Sequence, residues 1–127
     1  MLCIQGVVDW FGPTDFRDLP QSTTIQKFLG CSTSCSETQL AAASAVAQIQ
    51  NNAPPFVIMQ GEADPLVVPQ QSRKLAETLS SKGVKNKLIM YPGLGHGFEG
   101  GSPTKLREIL STTFTEIDRL AGKPAAR

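Results

Sequence analysis

Two residues in this sequence have the type and setting for acid–base chemistry. Asp64 lies in Gly61-Glu62-Ala63-Asp64-Pro65-Leu66-Val67-Val68-Pro69. His96, the single histidine, lies in Gly93-Leu94-Gly95-His96-Gly97-Phe98. An aspartate that accepts a hydrogen bond from one imidazole nitrogen fixes the ring's tautomer. It also stabilises the imidazolium that forms when the other nitrogen takes a proton. Each residue follows an apolar run, and their separation of 32 residues leaves room for one helix and one strand. That spacing puts both at the same edge of neighbouring parallel strands, outside the carboxyl ends, where ligands gather in open α/β sheets. Glycines on both sides of His96 permit unusual dihedrals and a close approach of substrate. Taken singly, each residue has a plainer reading: an Asp before Pro closes an Asx turn or caps a helix, and a lone His is a surface or core side chain.

The elements that must position the pair follow from hydrophobic patterning. Cys3 to Asp9, Phe56 to Gln60 and Lys87 to Tyr91 are short, apolar and end in turn chemistry. Near-continuous apolarity is the mark of parallel strands covered on both faces. Helical segments lie between them, giving an α/β order with right-handed crossovers. The last helix has Ser102 as N-cap, Pro103 at its first position, and Gly122 with Pro124 at its end. Leu106, Ile109, Leu110, Phe114, Ile117 and Leu120 form one apolar stripe on it, with Lys105, Arg107, Glu108, Glu116 and Arg119 on other faces. A middle helix spans about Pro69 to Lys82, with Leu75, Ala76 and Leu79 inward and Gly83 closing it. The stretch from Gly12 to Pro55 is only partly regular. It holds a short helix over Thr24 to Leu29 and an Ala-rich one over Ser36 to Ala47, capped by Ser36 and broken before the second strand by Ala53-Pro54-Pro55.

The 127 residues suffice for one small domain with a real core. Twelve basic and eleven acidic residues leave a formal charge of +1, which provides no electrostatic footprint for nucleic acid or an anionic membrane. No apolar run approaches the roughly 18 residues of a bilayer span. The N-terminus lacks the basic segment and small-residue cleavage site of a signal peptide and reads as the start of a strand. Cys3, within that strand, is expected to be a small buried hydrophobe. Cys31 and Cys35 are either free thiols in a loop or a small disulfide, and no second Cys or His pair completes a metal ligand set.

Three segments carry a resemblance. They are Val7-Val8-Asp9-Trp10-Phe11-Gly12-Pro13-Thr14-Asp15-Phe16, Pro54-Pro55-Phe56-Val57-Ile58-Met59-Gln60-Gly61-Glu62-Ala63-Asp64-Pro65-Leu66-Val67, and Tyr91-Pro92-Gly93-Leu94-Gly95-His96-Gly97-Phe98. With their spacing, they resemble the C-terminal half of an α/β-hydrolase of the esterase/lipase kind. The similarity is to the acetylxylan- and feruloyl-esterase-like branch, near the hormone-sensitive-lipase-like carboxylesterases. It covers nearly the whole chain, so residues 1–127 are expected to be the C-terminal part of one such domain, with about three parallel strands and flanking helices. It implies Asp64 and His96 as triad acid and base, in that family's order. It also implies that Trp10 and Phe11 line the substrate pocket, although aromatic core packing explains them equally well. The Cys31/Cys35 loop falls where similar enzymes carry a cysteine pair. That adds weight to a disulfide, and with it to a secreted or periplasmic setting. Gln60 stands where such sequences often have His. Being outside the triad, it receives little functional weight.

The same resemblance implies a nucleophilic serine in Gly-x-Ser-x-Gly and a His-Gly-Gly oxyanion loop, and neither occurs in this sequence. Gly30-Cys31-Ser32-Thr33-Ser34 ends in Ser and does not lie at a strand-to-helix elbow, so Cys31 is a poor substitute. Losing the nucleophile costs roughly 10⁶ in turnover in a serine hydrolase. The expectation is therefore a chain that carries the acid and base of a carboxylic-ester hydrolase but is inactive alone. The implied substrates are small-molecule esters, acylated polysaccharide among them, with no metal or organic cofactor. Two alternatives stand beside it: the C-terminal part of a prolyl-oligopeptidase-type serine peptidase, and a non-catalytic truncated or split assembly domain. An unpaired sheet edge and a bare apolar face would also favour self-association.

Overall fold

The computed structural model describes residues 3–123; Pro124, expected at the end of the last helix, lies outside them. Strands β1 (Val7–Trp10), β2 (Phe56–Gly61) and β3 (Asn86–Tyr91) form a parallel sheet in the order β1-β2-β3. Val7 pairs with Phe56 and Phe56 with Asn86, so the three strands start level. Three short helices link β1 to β2: α1 (Thr23–Leu29), α2 (Glu37–Ala43) and α3 (Ala45–Gln48). Helix α4 (Gln70–Ser81) links β2 to β3, and α5 (Pro103–Leu120) follows β3. This is the α/β arrangement that the three apolar runs predict.

The central strand is covered on both faces, which explains its unbroken apolarity. Val57 and Met59 face one way and pack with Leu94, Phe98 and Ile109, the last from α5. Ile58 faces the other way and packs with Leu75 and Leu79 of α4 and with Val84. The caps fall where the sequence places them. Ser102 accepts the Lys105 N–H with Pro103 at the first helical position. Ser36 and Gln39 complete a capping box at the head of α2. Gly83 (φ 72°) and Gly122 (φ 70°) follow α4 and α5 in the left-handed conformation that a Cβ disfavours.

Four expectations are corrected. Cys3 is exposed and lies outside β1, which begins at Val7. Val7 N–H bonds to the Pro55 carbonyl, but Pro54 and Pro55 have no N–H to offer in return, so the ladder stops there. The helix expected over Ser36 to Ala47 breaks at Ser44, whose backbone is extended (φ −95°, ψ 118°). Ser44 Oγ donates to the Leu40 carbonyl and accepts the Phe16 N–H, so the break serves to hold the segment after β1. Glu116, placed on a polar face, is buried and paired with Lys87 and Arg119, each at 2.6 Å. The α5 stripe is only partly core: Ile109 is buried, while Leu106, Leu110, Phe114 and Ile117 are exposed, Phe114 at 63%. The sheet lies under the line of Ile109, Thr113 and Glu116, about a sixth of a turn from the stripe's centre. Cys31 and Cys35 are joined as a disulfide with Cα atoms 5.3 Å apart.

Candidate functional site

Parallel strands end on the same side, so the loops after β1, β2 and β3 meet at one edge of the sheet. The second and third are tied together by backbone. Glu62 N–H donates to the Tyr91 carbonyl and Ala63 N–H to the Leu94 carbonyl, both at 2.9 Å. Gly61 makes this possible, because a Cβ there would stand 2.1 Å from the Leu94 oxygen. Next along the chain, Asp64 and His96 face each other across the seam.

Asp64 Oδ2 accepts from His96 Nδ1 at 2.9 Å. The aspartate side chain is fully buried, and the imidazole is about one-third exposed. Asp64 Oδ1 accepts the backbone N–H of Leu66 and of Val67, each at 2.9 Å. The Asx turn and the acid–base partnership are thus not competing readings, since one oxygen serves each. Burial pushes the Asp64 carboxyl up, but hydrogen bonds from Val67, His96, Leu66 and Gln60 outweigh it and hold the group below the ordinary aspartate range. An ionised carboxylate only accepts hydrogen bonds, so Nδ1 is the donor and His96 carries its proton there. The ring's Nε2 lone pair is left to take a proton from another group.

His96 opens a short 3-10 turn, His96–Phe98, in which Gly97 (φ 66°) and Phe98 (φ 63°) are both left-handed. The turn is closed by Gly95 N–H on the Glu99 carbonyl at 2.9 Å. Phe11 comes from the end of β1, and its ring centroid lies 4.8 Å from that of His96, tilted 63°. Its own φ is 44°, a conformation costly for an aromatic residue. It is held there by Phe11 N–H on the Met59 carbonyl and by an edge-on contact with Phe98 at 5.2 Å. Phe11 is therefore brought to the pair. Trp10 turns toward α5 instead, where its indole N–H donates to Thr113 Oγ1 at 3.2 Å. With Phe98, Leu106 and Leu110 it lines a groove of about 210 Å³ beside the site.

Sequence reasoning missed the contribution of Gln60. It is fully buried at the end of β2, and its amide Nε2 donates to Asp64 Oδ2 at 3.2 Å and to the Val67 carbonyl. Ser72 Oγ, in the first turn of α4, donates to Gln60 Oε1. The available signal was a glutamine closing an otherwise apolar buried strand, since such a group must find partners. Among the described residues, no group of three or more His, Cys, Asp or Glu side chains is placed to hold a metal ion. Likewise, no helix there is long and apolar enough to cross a membrane.

Comparison with known proteins agrees with the parallel α/β architecture. Esterase LipC of Mycobacterium tuberculosis is 35% identical over 60 residues, which are 45% of this chain and 14% of that protein. A truncated carbohydrate esterase from gut microbiota superposes with a TM-score of 0.71 at 25% identity, over 89% of this chain and 42% of that one. A puromycin-hydrolyzing peptidase of Mycobacterium tuberculosis reaches a TM-score of 0.77 at 22% identity, over 94% of this chain and 19% of that one, a likeness of fold alone. The chain thus spans less than half the length of each of these proteins. The BD-FAE family model matches residues 1–79, a stretch that includes Gln60 and Asp64 and ends before His96. With its parallel sheet and these relatives, the chain belongs to the BD-FAE family of esterase-like hydrolases and has an α/β-hydrolase fold.

Proposed function

We propose that this chain carries the acid and base of a carboxylic-ester hydrolase that works by a Ser-Asp-His mechanism. The observation that carries the reading is the 2.9 Å contact between Asp64 Oδ2 and His96 Nδ1 at the carboxyl ends of adjacent parallel strands. A serine hydroxyl from outside residues 1–127 attacks the ester carbonyl while His96 Nε2 takes its proton. The tetrahedral intermediate then collapses, and His96 returns the proton to the departing alcohol. Water repeats the sequence on the acyl-enzyme: His96 takes its proton, the acid is released and the serine hydroxyl is restored. Asp64 stays ionised throughout, holding the ring and balancing the imidazolium charge. Phe11, packed on the imidazole, forms a wall of the site, and the groove beside Trp10 is where an acyl or alcohol group would lie.

The substrate class follows the relatives. A carbohydrate esterase superposes over most of the chain, which supports short acyl esters, including those on polysaccharide. The chain alone is inactive, because no Gly-x-Ser-x-Gly is present to supply the nucleophile. Two experiments test this. Incubated with a fluorophosphonate probe, the 127-residue chain should form no adduct; a stable adduct would overturn its inactivity. Fused in place of the matching segment of the gut carbohydrate esterase, it should support hydrolysis of p-nitrophenyl acetate. That activity should fall by about 10⁴ or more on Asp64→Asn or His96→Ala. Hydrolysis indifferent to both substitutions would end the proposal.

A further inference from the structure

We infer that Gln60 is a positioning residue for the Asp64–His96 pair, which presumes the reading of that pair just given. The Asx turn fixes only one oxygen of Asp64, through the Leu66 and Val67 amides. The other oxygen, which meets the imidazole, has one further partner, Gln60 Nε2 at 3.2 Å. Together the four donors fill the roughly four lone-pair sites of the carboxylate, two on each oxygen. Without Gln60, the oxygen that faces His96 is held by the imidazole alone.

The orientation of the Gln60 amide is fixed by chemistry. Both groups beside Nε2, the Asp64 carboxylate and the Val67 carbonyl, only accept hydrogen bonds, so the NH₂ end must face them. Ser72 Oγ then donates to Oε1 and locks the far end to α4. A chain of contacts thus runs from α4 through β2 to the acid loop, and on to the base loop after β3. Gln60 is well placed to anchor it, because it pairs in register with Met90 inside the sheet and is fully buried. Its neutrality matters as much as its donors. A lysine or arginine there would compete with His96 as the counter-ion of Asp64, and a carboxylate would repel it. An amide steadies the aspartate and leaves its charge for the imidazole.

The single histidine makes the test direct, because the ring ¹⁵N and Nδ1–H signals of the 127-residue chain come from one residue. In the unsubstituted chain, His96 should show the Nδ1–H tautomer and a slowly exchanging Nδ1 proton. Gln60→Met keeps the length and apolar bulk but removes the donors. It should mix the tautomers and speed exchange of that proton roughly tenfold. A folded Gln60→Met chain with an unchanged His96 spectrum, whatever its urea midpoint, would overturn the inference, since a merely structural glutamine affects stability and not the tautomer. If Gln60→Met does not fold, Ser72→Ala decides. It frees only the far end of the amide and should still accelerate exchange; no change would reject the role. Asp64→Asn separates the two levels. If it leaves the His96 signals unchanged, the acid–base pairing itself fails. If it alters them and folded Gln60→Met does not, only the role of Gln60 fails.

Discussion

Asp64 shows how one side chain satisfies a turn and a partner at once, and both uses depend on its charge. Its carboxylate is fully buried and accepts four hydrogen bonds, from Gln60, Leu66, Val67 and His96. Replacing it by Ala leaves those donors unpaired in the interior. The expected loss is about 3 kcal/mol, since a buried hydrogen bond to a charged group contributes roughly 1.5–3 kcal/mol and the exposed edge of His96 recovers some hydration. A urea titration of Asp64→Ala should show a clearly lower midpoint with little change in slope; an unchanged midpoint would mean that the turn carries itself. The pair was legible in the sequence because each member follows an apolar run and glycines surround the base. Gln60 was not, because a glutamine is read by its partners, and these come from a turn seven residues on and a helix twelve residues on. Phe11 was legible only as an aromatic near the sheet edge. Its left-handed backbone, which aims the ring at His96, has no glycine to announce it.

At the scale of elements, α5 is the helix whose pattern and surroundings disagree. Its apolar residues form one face at helical spacing, and the sequence correctly gives its start and its end. What spacing could not give is how much of that face the sheet would cover. Ile109 is buried against Val57 and Met59, whereas Leu110, Phe114 and Ile117 are exposed. Along the outer side of β1, no strand is paired among the described residues. The two kinds of position should respond in opposite ways. Ile109→Ala removes core packing and should destabilise by about 2–5 kcal/mol. Phe114→Lys should change stability by no more than about 0.5 kcal/mol. An exposed apolar face beside an open strand edge favours association, so the unsubstituted chain should form larger species as concentration rises. Phe114→Lys should shift that onset upward, as read by light scattering. A chain that stays monomeric at millimolar concentration, with or without the lysine, would show that this face is tolerated by water.

Over the whole molecule, buried carboxylates pull stability in two directions, in separate pH windows. Burial pushes Asp64 and Glu116 up, but hydrogen bonds and neighbouring charges more than reverse this. Asp15 is held far below the ordinary range, chiefly by Arg17. A depressed carboxylate contributes stability that is present above its unfolded pKa and is lost as pH falls through the folded one, so these three weaken the fold in acid. Asp9 acts the other way. Burial on β1 pushes its carboxyl up to about 6 against the Gly12 N–H that lowers it, and its Oδ2 has no hydrogen-bond partner among the described residues. Between pH 4 and 6 the folded chain therefore binds a proton that the unfolded chain has released. Stability falls as pH rises through that window, by about 3 kcal/mol for a shift of this size. Asp9→Asn keeps an oxygen for the Gly12 N–H and removes the titration. Its advantage over the unsubstituted chain should be small at pH 4, grow up to pH 6 and then level off, as urea unfolding at each pH would measure. The acid-side loss from Asp15, Asp64 and Glu116 is common to both chains and cancels in the difference. Parallel stability curves for the two chains would mean that Asp9 is ionised in the folded state at the same pH as in the unfolded one.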